Sequence, residues 1–304
     1  MPRIVSLISS ATEIIHSVGQ TASQVGRSHE CDFPAEIAAL PICTKPTIDI
    51  HADSRKIDCA VKDRVRNALS VYEVFDDVLE RLQPTHIITQ TQCEVCAVSL
   101  RDVERSVASR LASRPKIISL TPNSLSDVWD DIRRVADALG IAERGEAEVA
   151  ALQDRMCALA EKARSAAGRP RVALIEWIEP LMATGNWMPE LVEMAGGVNL
   201  LGEPNKHAGY VSWEEIAASD PDVIIVCPCG FDIERAQNEM YWLTQRPEWR
   251  TICAVRNGRV YLADGNQYFN RPGPRLVDTL QILVETLHPE VFAPGLQGQG
   301  WKRL

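Results

Sequence analysis

The chain has 304 residues, and its 32 Lys and Arg against 41 Asp and Glu give a formal net charge of −9. An acidic chain repels nucleic acids and anionic lipids, and no segment reaches the ~20 apolar residues that span a bilayer, so we expect no nucleic-acid partner and no membrane-embedded part. At roughly 100–200 residues per domain, this length predicts two domains or one large one.

Nine cysteines, an odd number, are spread along the chain. A chain of this length can bury its own apolar core, so we expect free thiols rather than a disulfide framework. At the amino end, the apolar run Ile4–Ile8 is shorter than the apolar region of a signal peptide, and no small-residue cleavage site follows it. The sequence as it stands therefore predicts a cytoplasmic protein, and a start trimmed of its signal peptide would make it periplasmic.

Short apolar runs alternate with helical patterns over the first 123 residues. Strands are predicted at Ile4–Ile8, Gln24–Ser28, His86–Gln90 and Lys116–Leu120. Helices are predicted from Ser10 to Gly19, over Val61–Gln83 and over Leu100–Leu111. This alternation predicts a mainly parallel sheet with helices on both faces.

The pattern changes over residues 124–168, where charged and apolar residues alternate at helical spacing without a strand signal. Gly140 and Gly145 interrupt this segment, which is therefore one long kinked helix or two successive helices. Alternation of strands and helices then resumes. Strands are predicted at Arg171–Trp177, Val223–Cys227 and Arg259–Leu262, and helices at Pro189–Ala195, Trp213–Ala218 and Pro274–Leu287. We expect an α/β fold of two Rossmann-like lobes with mainly parallel sheets, residues 1–123 and 169–304, joined by a long α-helical connector.

Loops that follow the predicted strands are the candidate ligand contacts, because ligands gather at the carboxyl ends of the strands of an open parallel sheet. The turn Ser10-Ala11-Thr12-Glu13 could bind an anionic group through its backbone N–H groups. We favour a simpler interpretation, in which Ser10 or Thr12 caps the helix and Glu13 interacts favourably with the helix dipole.

Cysteine and histidine are concentrated on these loops. Cys93 and Cys96 have the spacing that binds one soft metal ion, and His29 and Cys31 could complete a set of four ligands. The same spacing also occurs in redox pairs, and inert buried thiols are a third interpretation. After the strand at 223–227, we expect Cys227 in the core and Cys229 on the loop.

Aromatic residues gather on the loops of the second half, namely Trp177, Trp187, Trp213, Tyr210, Tyr268 and Phe269. Flat aromatic surfaces suit a large planar or macrocyclic ligand, although packing in the core or in a lid is the more common role. Trp187 lies in a turn-rich loop, so we expect it to be exposed. Arg271, just before a predicted helix, offers a guanidinium group to a carboxylate or a phosphate.

Several catalytic and nucleotide-binding motifs are missing from the sequence. It contains no Gly-x-Gly-x-x-Gly, no Walker-type phosphate loop, no Gly-x-Ser-x-Gly and no His-Glu-x-x-His. We therefore expect a protein that is not an enzyme.

Seven segments resemble, in their order and spacing, the cobalamin and iron-siderophore branch of the ABC-transporter substrate-binding proteins. They are Arg3–Leu7 with Ser10–Glu13, Ser28–Pro34, Pro84–Ile88, Gly196–Asn199, Asp220–Ile225 and Arg271–Leu276. The resemblance implies two lobes joined by a long helix, with a corrinoid, haem or iron chelate as the ligand in the cleft between them. By position it assigns Glu13, Asp32, Phe33, Trp187 and Arg271 to that cleft. We expect a monomer with no obligatory cofactor and an ABC-transporter permease as partner.

Two features depart from the resemblance: no export signal is evident, and cysteines occupy cleft loops where exported relatives generally have none. The leading hypothesis is a binding protein for a cobalamin-like corrinoid or another metal chelate, in which a thiolate or His29 could be an axial ligand to the metal. The alternative is a cytosolic thiol-dependent metal carrier or redox protein that uses Cys93 and Cys96 with His29 and Cys31. The candidate ligand contacts are Glu13, His29, Cys31, Asp32, Phe33, Cys93, Cys96, Trp177, Trp187, Cys229, Tyr268 and Arg271.

Overall fold

Buried β-strands organise both halves of the chain, in a computed structural model that describes residues 1–67, 69–91, 103–105, 107 and 111–304. The strands are β1 Ile4–Ser6, β2 Gln24–Gly26, β3 Thr44–Pro46, β4 Tyr72–Val74, β5 His86–Gln90, β6 Lys116–Leu120, β7 Arg171–Trp177, β8 Met182–Ala183, β9 Val198–Asn199, β10 Gly209–Tyr210, β11 Val223–Val226, β12 Val260–Ala263 and β13 Trp301–Arg303. The helices are α1 Ser9–Ser17, α2 Ser54–Arg66, α3 Asp76–Leu82, α4 Leu125–Ala138, α5 Ala142–Ala163, α6 Met188–Met194, α7 Trp213–Ser219, α8 Ile233–Glu239, α9 Tyr241–Thr244, α10 Cys253–Arg256 and α11 Leu276–Leu287.

The first of two units comprises Met1–Ala52, Lys56–Pro122 and Ser126–Ala151. Its main sheet has the order β2-β1-β5-β6, and every pair of neighbouring strands is parallel. Because β1 and β5 bury their apolar side chains completely, they form the centre of this sheet. The carboxyl ends of parallel strands meet at one edge, which brings the loops after β1 and β2 together.

The helix predicted over residues 61–83 is wrong, because two helices and a strand occupy this segment. α2 ends at Arg66, where the Asn67 side chain donates a hydrogen bond to the Asp63 carbonyl oxygen at 2.8 Å, a local bond that competes with helical pairing. Next, β4 pairs antiparallel with β3 before α3 begins. Helical periodicity could not reveal this pairing, because the partner strand lies nearly thirty residues away. The helix predicted over 100–111 falls largely outside the described residues.

The second unit comprises Asp53–Arg55, Asn123–Leu125 and Leu152–Leu304. Its central strands β9, β7, β11 and β12 are parallel, and β8, β10 and β13 join antiparallel at the two sides. The predicted mainly parallel sheet is therefore present, with antiparallel edge strands that the sequence pattern did not predict. β13 carries Lys302 and Arg303 and lacks the apolar run by which a buried strand is recognised.

The segment predicted as a connector contains two successive helices, α4 and α5, with Gly140 at a φ of +74° between them. A positive φ is readily adopted by glycine and ends α4 without strain. The division between the two units falls inside α5, after Ala151. Among the described helices, none has both the length and the apolar character needed to cross a bilayer.

Candidate ligand-binding residues at the sheet edges

At the carboxyl edge of the first sheet, buried hydroxyl, amide and thiol groups form a hydrogen-bonded network. The Ser6 and Thr12 hydroxyls are bonded to each other, and Gln24 Nε2 donates to Ser6 Oγ at 2.8 Å. Thr12 Oγ1 also donates to Cys31 Sγ at 3.0 Å. The network ties the loop after β2 to the first turn of α1.

The expected capping role of Ser10 or Thr12 is wrong. α1 begins at Ser9 after the N-cap residue Ile8, and no described side chain caps it. Thr12 uses its hydroxyl in the buried network, and Ser10 Oγ donates to Gln90 Oε1 at 3.5 Å. The sequence shows which residue types can cap a helix. It does not show that groups on β1 and β5 take the hydrogen bonds of these two hydroxyls instead.

Three candidates around this network differ in exposure. Glu13 is buried in α1, Asp32 is exposed, and Phe33 is half-buried with its ring edge-on to His16 at a centroid distance of 5.8 Å. Asp32 and Phe33 therefore have surface that a ligand can reach, whereas Glu13 lies within the protein.

Cys31 is enclosed in the same network and only 2% exposed. Burial raises the pKa of its thiol, although hydrogen bonds from Thr12 and Ser6 partly oppose that shift. A raised pKa keeps the sulfur protonated, and the thiolate is the form that binds metals. Cys31 is thus a structural thiol in this conformation.

The predicted four-ligand metal set cannot be assembled from the described residues. Cys93 and Cys96 lie outside them, and within the described ranges no three His, Cys, Asp or Glu side chains converge as a metal site. The described residues give the thiol-dependent alternative no support.

His29 is held by the neighbouring strand β3. Thr44 Oγ1 lies 3.1 Å from the His29 backbone nitrogen and 2.8 Å from Nδ1 of the ring. Burial, reinforced by the positive charge of Arg27, lowers the pKa of His29 to about 4. The imidazole is therefore neutral near pH 7.

Arg27 fixes the loop that carries these residues. Its guanidinium donates to the carbonyl oxygens of Ser28, Cys31 and Ala38, each at 3.1 Å. These bonds satisfy carbonyl groups that have no strand partner, because β2 has already ended at Gly26. The loop is thereby held by a charged side chain at its base.

In the second unit, the end of β7, the loop after β11 and the first turn of α8 bring aromatic and cationic side chains together. The rings of Trp177 and Phe231 meet edge to face with centroids 5.3 Å apart, and the Arg235 guanidinium lies 3.7 Å from the Phe231 centroid. The Trp177 indole N–H donates to the Ser54 carbonyl oxygen at 3.2 Å. A half-buried tryptophan anchored in this way presents a rigid apolar surface.

The two cysteines after β11 lie where the sequence predicts. Cys227 is fully buried, which raises the pKa of its thiol well above the usual range, and Cys229 is half-buried on the loop. The Cys229 backbone N–H donates to the Glu176 carbonyl oxygen at 3.1 Å, so this loop is fixed against the end of β7.

Arg271 and Tyr268 belong to a buried polar cluster after β12. Arg271 is 4% exposed, and its Nη2 donates to Asn266 Oδ1 at 3.1 Å. Burial raises the pKa of Asp264, and the charge of Arg271 partly opposes that shift. Tyr268 is likewise buried, and its hydroxyl oxygen accepts from Gln299 Nε2 at 3.2 Å. Both candidates thus have protein partners in this conformation.

The expected exposure of Trp187 is wrong, because its side chain is only 5% exposed and its indole N–H donates to the Phe269 carbonyl oxygen at 3.2 Å. The surrounding turn is covered by residues 204–208, and a Cβ on Gly185 would lie 2.1 Å from the Lys206 carbonyl oxygen. Turn-forming residues indicate backbone geometry, not exposure, so the sequence could not reveal this cover.

Sequence reasoning missed Thr44, Phe231 and Arg235. No pattern in the sequence indicated a role for Thr44, because its position depends on the pairing of β3 with β4, which was not predicted. Phe231 and Arg235 are spaced by four residues directly after the strongest strand of the second half, and that spacing was a usable signal.

A model of the family described as "Periplasmic binding protein" matches residues 4–266. The chain belongs to this family. The "Uncharacterized ABC transporter substrate-binding lipoprotein YvrC" of Bacillus subtilis is 22% identical over 300 residues, which cover 95% of this chain and 81% of that protein. The vitamin B12-binding protein of Vibrio cholerae is 30% identical over 101 residues, 33% of either chain.

Solved structures of other binding proteins share the fold. A periplasmic heme-binding protein from Pseudomonas aeruginosa superposes with a TM-score of 0.72 at 19% identity, covering 96% of this chain and 95% of that one. The periplasmic vitamin B12-binding protein BtuF of Vibrio cholerae superposes with a TM-score of 0.66 at 20% identity, covering 94% and 96%. These structures confirm the predicted two-lobed α/β fold class.

Proposed function

We propose that the chain is a substrate-binding protein of an ABC transporter and that its ligand is a tetrapyrrole metal complex, either a cobalamin-like corrinoid or haem. Membership of the periplasmic binding protein family over residues 4–266 is the observation that carries the proposal. The V. cholerae and P. aeruginosa proteins, whose names state B12 and heme binding, support this ligand class.

The second unit offers side chains suited to such a ligand. A large planar macrocycle is bound chiefly by apolar and aromatic surface, with a few polar groups that orient it. Trp177 with Phe231 supplies the aromatic surface, and Arg235 carries the positive charge that suits a ligand carboxylate. Binding for transport leaves the ligand chemically unchanged, so we expect no turnover.

Calorimetry and visible absorption of the full chain, purified under reducing conditions, test the proposal. Aquacobalamin, hemin and a ferric trihydroxamate are the probes, and we expect saturable binding of at least one of the first two. Trp177→Leu should weaken that binding about ten-fold or more through lost aromatic contact. Tyr241→Leu, which alters an exposed aromatic residue on α9, is the matched control and should bind as the unaltered chain does. Binding of neither tetrapyrrole would refute the proposal.

The partner we infer is an ABC-transporter permease, because the Bacillus relative is named as a substrate-binding lipoprotein of such a transporter. Cell fractionation of the source organism distinguishes the cytoplasmic prediction from the periplasmic one. A permease partner requires the periplasmic result.

A further inference from the structure

A cavity of about 380 Å³ opens in the first unit, where α2 faces the loop that follows β3. This volume lies at the lower end of the range for small-molecule sites and is smaller than a tetrapyrrole requires. The lining includes Ala60, Asp63 and Arg64 of α2, together with Ile48, Asp49 and Leu69 of the flanking segments. The residues that line the cavity differ from all of the candidate ligand contacts, so it is a separate candidate site.

Hydrogen bonds fix the walls of this cavity. Arg64 Nη2 donates to the Thr47 carbonyl oxygen at 2.8 Å, which ties α2 to the loop after β3. The Thr47 backbone N–H in turn donates to the Val71 carbonyl oxygen at 2.8 Å. The Leu69 backbone N–H donates to the Arg64 carbonyl oxygen at 2.9 Å. A site whose walls are held in place before the ligand arrives loses less conformational entropy on binding.

Arg64 supplies a positive charge to the cavity, and no carboxylate within the part of the chain that the structure describes pairs with it. The one hydrogen bond that its guanidinium makes there goes to Thr47, so the other guanidinium N–H groups can still donate. Because the residue is half-buried, water screens its charge less than that of a fully exposed arginine. A planar guanidinium binds a carboxylate through two parallel hydrogen bonds, so a ligand carboxylate suits this position.

Two carboxylates line the same cavity. Asp49 Oδ1 accepts the His51 backbone N–H at 2.9 Å, which orients this side chain on the loop. Asp63, next to Arg64 on α2, is 74% exposed and lies 3.9 Å from the Arg66 guanidinium. These negative charges would repel a multiply charged anion such as a phosphate. A ligand that carries both a carboxylate and an ammonium group matches the two signs of charge in the cavity.

Apolar side chains provide the remaining surface of the cavity. Ile48 and Ala60 are half-buried, and Leu69 is 52% exposed. Removal of apolar surface from water is favourable by about 25 cal/mol per Å². A short apolar group on the ligand would therefore gain free energy by covering Leu69.

We propose that this cavity binds an α-amino acid with an apolar side chain. The carboxylate of the amino acid pairs with Arg64, its ammonium group pairs with Asp49, and its side chain covers Leu69. The inference does not rest on the proposed function, because no candidate tetrapyrrole contact takes part in it.

Calorimetry of the full chain with L-leucine tests the assignment. Isocaproate and isoamylamine are the matched probes, because each retains the apolar group of leucine and lacks one of its two charged groups. We expect saturable binding of leucine with a Kd of about 1 mM or lower. Either probe should bind at least about five-fold more weakly, since each loses one ion pair and is left facing a charge of its own sign.

Three variants locate the binding in the cavity. Asp49→Asn retains an oxygen for the His51 N–H and should weaken leucine binding about three-fold. Arg64→Met should weaken it about ten-fold, and Ala60→Phe, which fills the cavity, should abolish it. Arg66→Met, at a position 77% exposed on the same helix, is the matched control and should bind as the unaltered chain does. Thermal melting identifies any variant that fails to fold, and the folded variants then decide the assignment.

The other outcomes overturn the proposal. Equal affinities for leucine and either probe would show that the cavity does not recognise a zwitterion. Unchanged leucine affinity in the folded variants would mean that the amino acid binds elsewhere. Absence of saturable leucine binding would likewise refute the assignment. None of these results alters the proposed function, which the tetrapyrrole titrations test separately.

Discussion

The carboxylate of Glu285 accepts the indole N–H of Trp301 at 2.7 Å, and both side chains are buried. The same carboxylate accepts the Leu296 backbone N–H at 3.0 Å and Gln281 Nε2 at 2.9 Å. Three donors compensate the burial of this carboxylate. The contact fastens the carboxyl-terminal strand β13 to α11, and β13 in turn covers the edge of β12.

Glu285→Ala should therefore lower the free energy of unfolding by about 3 kcal/mol, because it leaves buried donors without an acceptor. Urea denaturation followed by tryptophan fluorescence measures the change. Glu290→Ala, at an exposed carboxylate three residues after α11 ends, should change stability by less than about 0.5 kcal/mol. Equal stabilities of the two variants would contradict this role of Glu285.

Gly265, at the carboxyl end of β12, lies too close to the loop after β11 to tolerate a side chain. A Cβ there would lie 2.1 Å from the Pro228 carbonyl oxygen and 2.5 Å from that of Cys227. Gly265→Ala should push the two loops apart, costing about 2–4 kcal/mol and weakening tetrapyrrole binding, as measured by thermal melting and by calorimetry.

Gly230→Ala is the matched control for this substitution. Gly230 lies on the loop after β11 with a φ of +74°, and no described atom lies within 4 Å of its Cβ position. Its replacement should cost only the backbone strain, about 1 kcal/mol, and leave binding unchanged. Equal effects of the two variants would refute the steric argument at Gly265.

The strands that could be predicted from the sequence are those with uninterrupted apolar runs. β5, β6 and β7 have the predicted bounds, because β-branched residues in such runs are typical of buried parallel strands. β4 and β13 depend on distant partners, Thr44–Pro46 and Val260–Ala263, and their own sequences carry no comparable signal.

The candidate ligand contacts likewise have some properties that follow from local sequence and others that depend on distant residues. The sequence placed His29 and Cys229 on loops that follow strands, and the structure has them there, whereas their contact with a ligand stays a prediction. The contact that holds the His29 ring comes from Thr44, fifteen residues away on β3, and the burial of Trp187 depends on a later loop. Properties that arise from tertiary neighbours were beyond any reading of local sequence.

Asp131 should make stability depend on pH. Its side chain on α4 is 1% exposed, and burial raises its pKa from 3.8 to about 7. The Arg134 guanidinium and the Thr121 N–H oppose this rise, whereas the negative charges of Asp127 and Asp130 add to it. A carboxyl whose pKa is higher in the folded than in the unfolded chain holds its proton more tightly when folded. Its contribution is therefore fully present below about pH 4 and is lost as the pH rises through about 7.

Urea denaturation between about pH 4 and pH 8 measures this contribution as the difference between the unaltered chain and Asp131→Asn. We expect the unaltered chain to lose up to ~4 kcal/mol relative to the variant over that range. Asp137→Asn, at an exposed position of the same helix, should follow the unaltered chain. Parallel pH profiles for the unaltered chain and Asp131→Asn would show that Asp131 keeps an ordinary pKa.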